Sequence, residues 1–251
     1  MMSFLSDAWT VLSKELRELA LFRGRGVQRP LLVILIMVML GIVLPAVAGT
    51  DWLDTGWLLT LWALAPVFLV GSVTAELVAG ERERHTFETL LASRLPDRAI
   101  LLGKVGAAVV YGWGLILITV LLSVATINII YPGDSLLLYR PLLAVGGGLL
   151  SLLAAILAAS VGVLISLRAT SVRQAQRWTN IVFLGLTFAL LLLSLALTLL
   201  PPTWGLSMGA LLAAFDRVAV VASTALLLVV MNVIMLGVAA DSFQRHRLHP
   251  Q

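Results

Sequence analysis

The sequence predicts an all-α integral membrane protein with six transmembrane helices, an N-terminal interfacial helix and a short re-entrant segment before the last helix. Three observations carry that prediction. Of the 251 residues, 60% are hydrophobic and 12% are charged, with a mean hydropathy of +1.04; a soluble domain has roughly 45–50% apolar and about 25% charged residues. The sparse charges leave long uncharged stretches between them, and the basic residues cluster on one side of those stretches. This composition excludes a soluble enzyme and a disordered scaffold. With no cysteine in the chain, a disulfide framework, a thiolate metal site and a cysteine nucleophile are excluded too.

A crossing takes about 20 apolar residues at about 1.5 Å each. The stretches bounded by Arg29 and Asp51, Asp54 and Glu76, and Lys104 and Asp134 supply spans at about 31–50, 55–75 and 105–130. Those bounded by Arg140 and Arg168, Arg177 and Asp216, and Arg217 and Asp241 supply spans at about 141–167, 179–200 and 218–240. The fifth stretch is too long for one crossing and too short for two with a turn, and Pro201-Pro202 divides it. Residues 203–215 reach only about 20 Å as a helix, the length of an outer re-entrant segment.

Six crossings put both termini on one face. That face receives Lys14, Arg17, Arg23, Arg25, Arg29, Arg82, Arg84, Arg94, Arg98, Lys104, Arg168, Arg173, Arg177, Arg245 and Arg247, while Arg140 and Arg217 fall opposite. The positive-inside rule makes the first face cytoplasmic. The expected location is therefore the plasma (inner) membrane, multi-pass, with both termini in the cytoplasm. The formal charge of +4 is then a topology signal: membrane lipids are expected partners and nucleic acid is not. Trp52, Trp57, Tyr131, Tyr139 and Trp204 fall near the outer boundary, as an aromatic belt does. At the N-terminus no basic region precedes a short apolar core, so no signal peptide is expected. Residues 3–23 instead place Leu5, Trp9, Leu12, Leu16 and Leu19 on one helical face and Asp7, Lys14, Arg17 and Glu18 on the other. That pattern predicts an amphipathic helix lying in the inner interface.

No predicted span carries a charge at its centre, whereas carriers driven by ion or proton gradients use buried ionisable groups. Energy for any transport must come from elsewhere. Ser160, in the string AASVG, has no base to activate it, because His85, His246 and His249 all fall in cytoplasmic segments. His246 and His249 have no third ligand, so no metal site is expected. Asn128, Asn180 and Asn232 are the amides within spans; interhelical hydrogen bonding is their simplest role, and contact with a substrate pathway is the alternative. Ala154, Ala158, Gly162 and Ser166 recur every four residues, which predicts a close helix contact within the subunit or between copies.

The segment between spans two and three carries the most information. Gly80 ends span two, the charges from Glu81 to Arg84 open a cytoplasmic helix over 80–98, Phe87, Leu90, Leu91 and Leu95 form an apolar stripe, and Pro96 stops it. Such a helix suits docking on a partner. Residues 76–104, ELVAGERERHTFETLLASRLPDRAILLGK, resemble the signature of the type-2 ABC exporter permeases: Glu76, Gly80, Glu81, Arg82, Glu83, Thr86, Glu88, Leu90, Leu91, Gly103 and Lys104 occupy its positions. His85 and Arg94 depart from it, where the family usually has a small or polar residue and a proline.

The resemblance implies a permease subunit of an ATP-driven ABC transporter that exports a lipid, amphipathic or peptide-like substrate. It implies a cytoplasmic ABC ATPase as partner, which binds the ATP and Mg, and pairing with a second permease copy or a related permease. The chain itself would bind no cofactor and catalyse nothing. No phosphate-binding G-x-x-x-x-G-K-[ST] occurs in it. The ATPase-coupling residues would be Gly80, Glu81, Arg82, Glu83, Arg84, Thr86, Phe87, Glu88, Leu90 and Leu91. Glu81 and Glu88 would offer carboxylates to the partner and Phe87 and Leu91 would fill an apolar cleft, all facing the cytosol, so that Glu81→Arg or Phe87→Asp releases the partner without harming the fold. The alternative is a non-transporting membrane anchor or sensor that recruits a cytoplasmic partner through the 80–98 helix.

Overall fold

The computed structural model describes residues 2–20, 28–54, 58–77, 79–83, 94–133, 135–199 and 217–242. Every regular element among them is helical. They are α1 (Met2–Ala20), α2 (Gln28–Val38), α3 (Leu44–Ala48), α4 (Leu58–Leu77), α5 (Ala79–Glu83), α6 (Asp97–Ile130), α7 (Pro141–Arg168), α8 (Val172–Leu199) and α9 (Arg217–Ser242). Among the described residues four helical runs are long and apolar enough to cross a membrane: Val33–Leu53, Asp97–Ile130, Pro141–Arg168 and Val221–Ser242. The protein is thus an all-helical membrane protein. α4 and α8 occupy the stretches where the second and fifth crossings are expected. The 203–215 segment, expected to be re-entrant, lies outside the described residues, as do 84–93 with Arg84, Thr86, Phe87, Glu88, Leu90 and Leu91.

Proline chemistry explains the irregular first run. Pro45 has no N–H and its ring crowds the carbonyl four residues back, which belongs to Gly41. Between α2 and α3 the chain makes a π turn over Met39–Val43, in which the Leu44 N–H donates to Met39 O. The released Gly41 carbonyl accepts from Thr126 Oγ1 of α6 at 2.9 Å. Gly49, at φ 66°, then ends α3 and turns the chain into a 3-10 turn.

The predicted 80–98 helix does not run to its expected end. Arg94 to Pro96 are non-helical, and a new helix, α6, starts at Asp97. Pro96 (φ −68°, ψ 141°) sits at the N-cap position, where it holds an extended conformation and disfavours helix in the residue before it. Eight residues that sequence reasoning assigned to the loop, Asp97 to Lys104, therefore belong to α6.

The small-residue stripe of α7 packs within the subunit. Its largest partner is α4, and Ala155, Ala158, Ala159, Gly162 and Ser166 are all buried. A Cβ placed at Gly147 would fall on the Trp62 ring, and one at Gly162 on Thr74 Oγ1. The helices pack closely because the glycines leave room for the Trp62 ring and the Thr74 side chain of α4. α1 docks on α6 in the same way, since a Cβ at Gly103 would lie 2.6 Å from Val11 Cβ. The face α1 buries is Val11, Glu15 and Leu19, while Trp9, expected on the apolar face, is 67% exposed.

At the pole opposite α1, aromatic groups close the bundle. Trp52 Nε1 donates to Tyr139 Oη at 2.9 Å, Ser123 Oγ lies 2.6 Å from the same oxygen, and the Trp62 ring meets Tyr139 edge-on at 4.9 Å. Burial pushes the Tyr139 hydroxyl above its ordinary pKa. Arg140 and Asp54 form a two-pronged pair at this pole, with Nε to Oδ1 at 2.6 Å.

Candidate functional site

The structure gathers the described part of the signature around α5, at the pole where α1 docks. α5 has only five residues, too few to stand alone. Hydrogen bonds at its two ends fix it to other helices. At its start Ala79 N donates to the buried Ser166 Oγ of α7 at 2.9 Å. Next along, the Arg82 guanidinium donates to Ala169 O at 2.7 Å and Leu167 O at 3.1 Å, two carbonyls at the end of α7. Those carbonyls are the unsatisfied, partially negative terminus of a helix, where a cation is favourable. Its neighbour Glu83 does the reverse: Oε1 accepts from Val172 N at 2.8 Å, an N–H at the positive start of α8. Adjacent residues of opposite charge thereby clamp the α7–α8 corner.

The other half of the site is a buried ion cluster. Lys104 is fully buried, and its ammonium donates to Glu15 Oε1 and Leu77 O, both at 2.8 Å, and pairs with Glu81 Oε1 at 2.8 Å. Three acceptors match its three N–H donors. Lys14 approaches Glu81 Oε1 at 4.0 Å and Glu18 at 3.7 Å from the exposed side. Two carboxylates around one buried ammonium leave a local excess of negative charge, which Lys14 offsets. Helices α1, α4, α5 and α6 meet on this single nitrogen.

These contacts correct two expectations. Glu81 was expected to face the cytosol, but its side chain is 15% exposed and its carboxylate points inward to Lys104. Lys104 was expected to flank a span, but it lies a full two turns inside α6 with no exposure. Sequence reasoning also missed Glu15. Its signal was present: Glu15 stands four residues from both Val11 and Leu19, on the face that buries. Of the remaining signature residues, Gly80 and Arg82 are half-buried and Glu83 is exposed.

The three span amides part company. Asn128 bonds the backbone of Leu137 in both directions, Nδ2 to O and N to Oδ1, each at 2.9 Å, and so holds the 131–140 loop. Asn232 is 95% buried; its Nδ2 joins α9 to α7 through Leu153 O at 3.0 Å, and its Oδ1 accepts no hydrogen bond. Asn180 is exposed. Ser160 donates to Ile156 O within its own helix at 2.8 Å. Among the described residues no three His, Cys, Asp or Glu side chains converge on a metal position. The arrangement at α5 is a junction of ionic and hydrogen bonds that joins α5 to α1, α4, α6, α7 and α8.

No protein-family model matches the chain, and no curated protein matches it.

Proposed function

We propose that the chain is the membrane-spanning permease subunit of an ATP-driven ABC transporter, crossing the inner membrane six times with both termini in the cytoplasm. It works as a dimer, with a separate ATPase supplying ATP and Mg, and exports a lipid, amphipathic or peptide-like substrate. The observation that carries this reading is the position of α5. The signature segment includes a five-residue helix bonded to four others: the ends of α7 and α8 through Arg82 and Glu83, and α6 and α1 through Glu81, which pairs with Lys104 and approaches Lys14. A partner engaging residues 84–93 would act on those helices through α5, which directly precedes that segment in the chain. No span carries a charge at its centre, which supports an external energy source.

The test separates docking from transmission. The chain is co-purified with a candidate ABC ATPase, as wild type, Phe87→Asp and Arg82→Ala, and vesicle-reconstituted transport and ATP hydrolysis are measured. Phe87→Asp should abolish binding. Arg82→Ala should keep binding and lose coupled turnover, because the clamp on α7 is gone while the docking residues remain. A Phe87→Asp protein that binds and transports like wild type would sink the proposal. Binding without any ATP-dependent transport in the wild type would favour the recruiting anchor instead.

A further inference from the structure

We propose that the cavity between α7 and α8 near the α5 junction binds an anionic phospholipid, with its phosphate on Arg168 and its glycerol and acyl region against Trp178 and Val182. This inference rests on the chain being a membrane protein and does not depend on the permease reading. The cavity holds about 220 Å³ and is lined by Ile165, Arg168, Ala169, Gln174, Trp178 and Val182. That is below the roughly 300–1,000 Å³ of a pocket that encloses a whole small molecule. It suits the compact phosphate and glycerol of a lipid whose chains continue along the exposed Ile181 and Leu186 of α8.

The order of chemistry along the wall matches a lipid from head to tail. Gln174, Trp178 and Val182 are spaced four residues apart on α8 and share one face. Each step is about 6 Å along the axis, so amide, indole and aliphatic side chain succeed one another over about 12 Å. On α7, Arg168 and Ile165 repeat the same order of polar and then apolar side chain. Gln174 Oε1 already accepts from Thr170 N and Oγ1, at 2.9 and 2.7 Å, which leaves its amide nitrogen as the donor. An indole at the boundary of polar and apolar zones is where tryptophan sits in membranes, and Trp178 is 53% exposed.

Charge decides for an anion. Arg168, Arg173 and Arg177 are exposed and make no hydrogen bond or ion pair with any described residue. Two other arginines are committed elsewhere, Arg82 to the α7 carbonyls and Arg140 to Asp54. No acidic residue occurs between Arg140 and Asp216. The acid nearest along these contacts, Glu83, is engaged by Val172 N. Basic pockets between helices at the cytoplasmic surface are suited to anionic headgroups.

The full chain in detergent is titrated with phosphatidylglycerol or phosphatidylcholine of the same acyl chains, and bound lipids are counted by native mass spectrometry. The wild type should retain phosphatidylglycerol in preference, and Arg168→Gln should lower its affinity about fivefold. Arg173→Gln, which removes the same charge outside the cavity, should change it little. Val182→Trp fills the cavity without touching charge and should release the lipid, which keeps the test decisive if Arg168→Gln folds poorly. An unchanged preference in both Arg168→Gln and Val182→Trp would overturn the proposal. So would an equal loss in Arg173→Gln, which means general charge attraction, or full displacement by millimolar inorganic phosphate, which means a free-anion site. No ATPase is present in this experiment, so its failure is distinct from failure of the permease reading.

Discussion

Replacing Lys104 by Met should destabilise this protein more than any single charge removal at its surface. The ammonium is fully buried and lies 2.8 Å from oxygens of both Glu15 and Glu81. Methionine keeps the side chain as far as Cε and removes the charged nitrogen, so two carboxylates in a poorly solvated site lose the cation between them. Removing one partner of a buried ionic network costs about 3–5 kcal/mol, because the remaining charge keeps its desolvation penalty and loses its compensation. At about 2–4 °C per kcal/mol for a chain of 150–250 residues, the expected fall in Tm is roughly 6–20 °C. The control is Arg140→Met. It removes a pair whose two side chains are 59% and 52% exposed, and exposed pairs contribute about 0–1 kcal/mol. Thermal unfolding of the detergent-solubilised variants compares the two directly. Adding Glu15→Gln and Glu81→Gln to Lys104→Met should recover at least half the loss, since no uncompensated charge then remains. A Lys104→Met shift no larger than that of Arg140→Met would refute the reasoning, as would a triple variant less stable than the single one.

Glu81→Arg places a second cation beside Lys104, so reduced folded yield is expected from it rather than a folded protein that has merely lost a partner; size-exclusion profiles read this out. Gly147→Val drives two methyl groups toward the Trp62 ring and should cost about 1–3 kcal/mol, whereas Gly148→Ala, with nothing within 4 Å of its Cβ, should be close to neutral in the same melt. Asn128→Leu strips both hydrogen bonds from Leu137 and should speed hydrogen exchange across the 131–140 loop while leaving α6 protected. The chain has no cysteine, so single cysteines report its orientation: Thr50 and Ser135 positions should label with an impermeant thiol reagent from outside, and Ser171 and Ser242 positions should not. External labelling at Ser242 in intact cells would break the six-span count.

Much of the architecture was legible because it depends on local composition. Uncharged runs of 20 or more residues have no stable home in water, and a helix satisfies its own backbone in lipid. The membrane class, the α7 run over 141–167 and the four-residue spacing of Ala154, Ala158, Gly162 and Ser166 follow from that. The same spacing told that a partner would come close, but not which one. Pairing is a non-local choice, settled by the fit of Trp62 and Thr74 of α4 over Gly147 and Gly162.

Charge is where local reading failed. A lysine at the edge of an apolar run is scored as solvated unless something distant compensates it, and the compensation for Lys104 comes from Glu15, 89 positions away, and from Glu81 across a loop. Neither partner can be inferred from the helix that carries the lysine. The G-E-R-E string was visible as a signature, yet its physical work lies in contacts 85–89 residues apart, Arg82 on the end of α7 and Glu83 on the start of α8. Hydrophobicity and periodicity are properties of a segment, so the helices could be read from the residues. Which buried charges meet is a property of the packed bundle, because a desolvated ion is stable only where the fold brings its counter-charges within hydrogen-bonding distance.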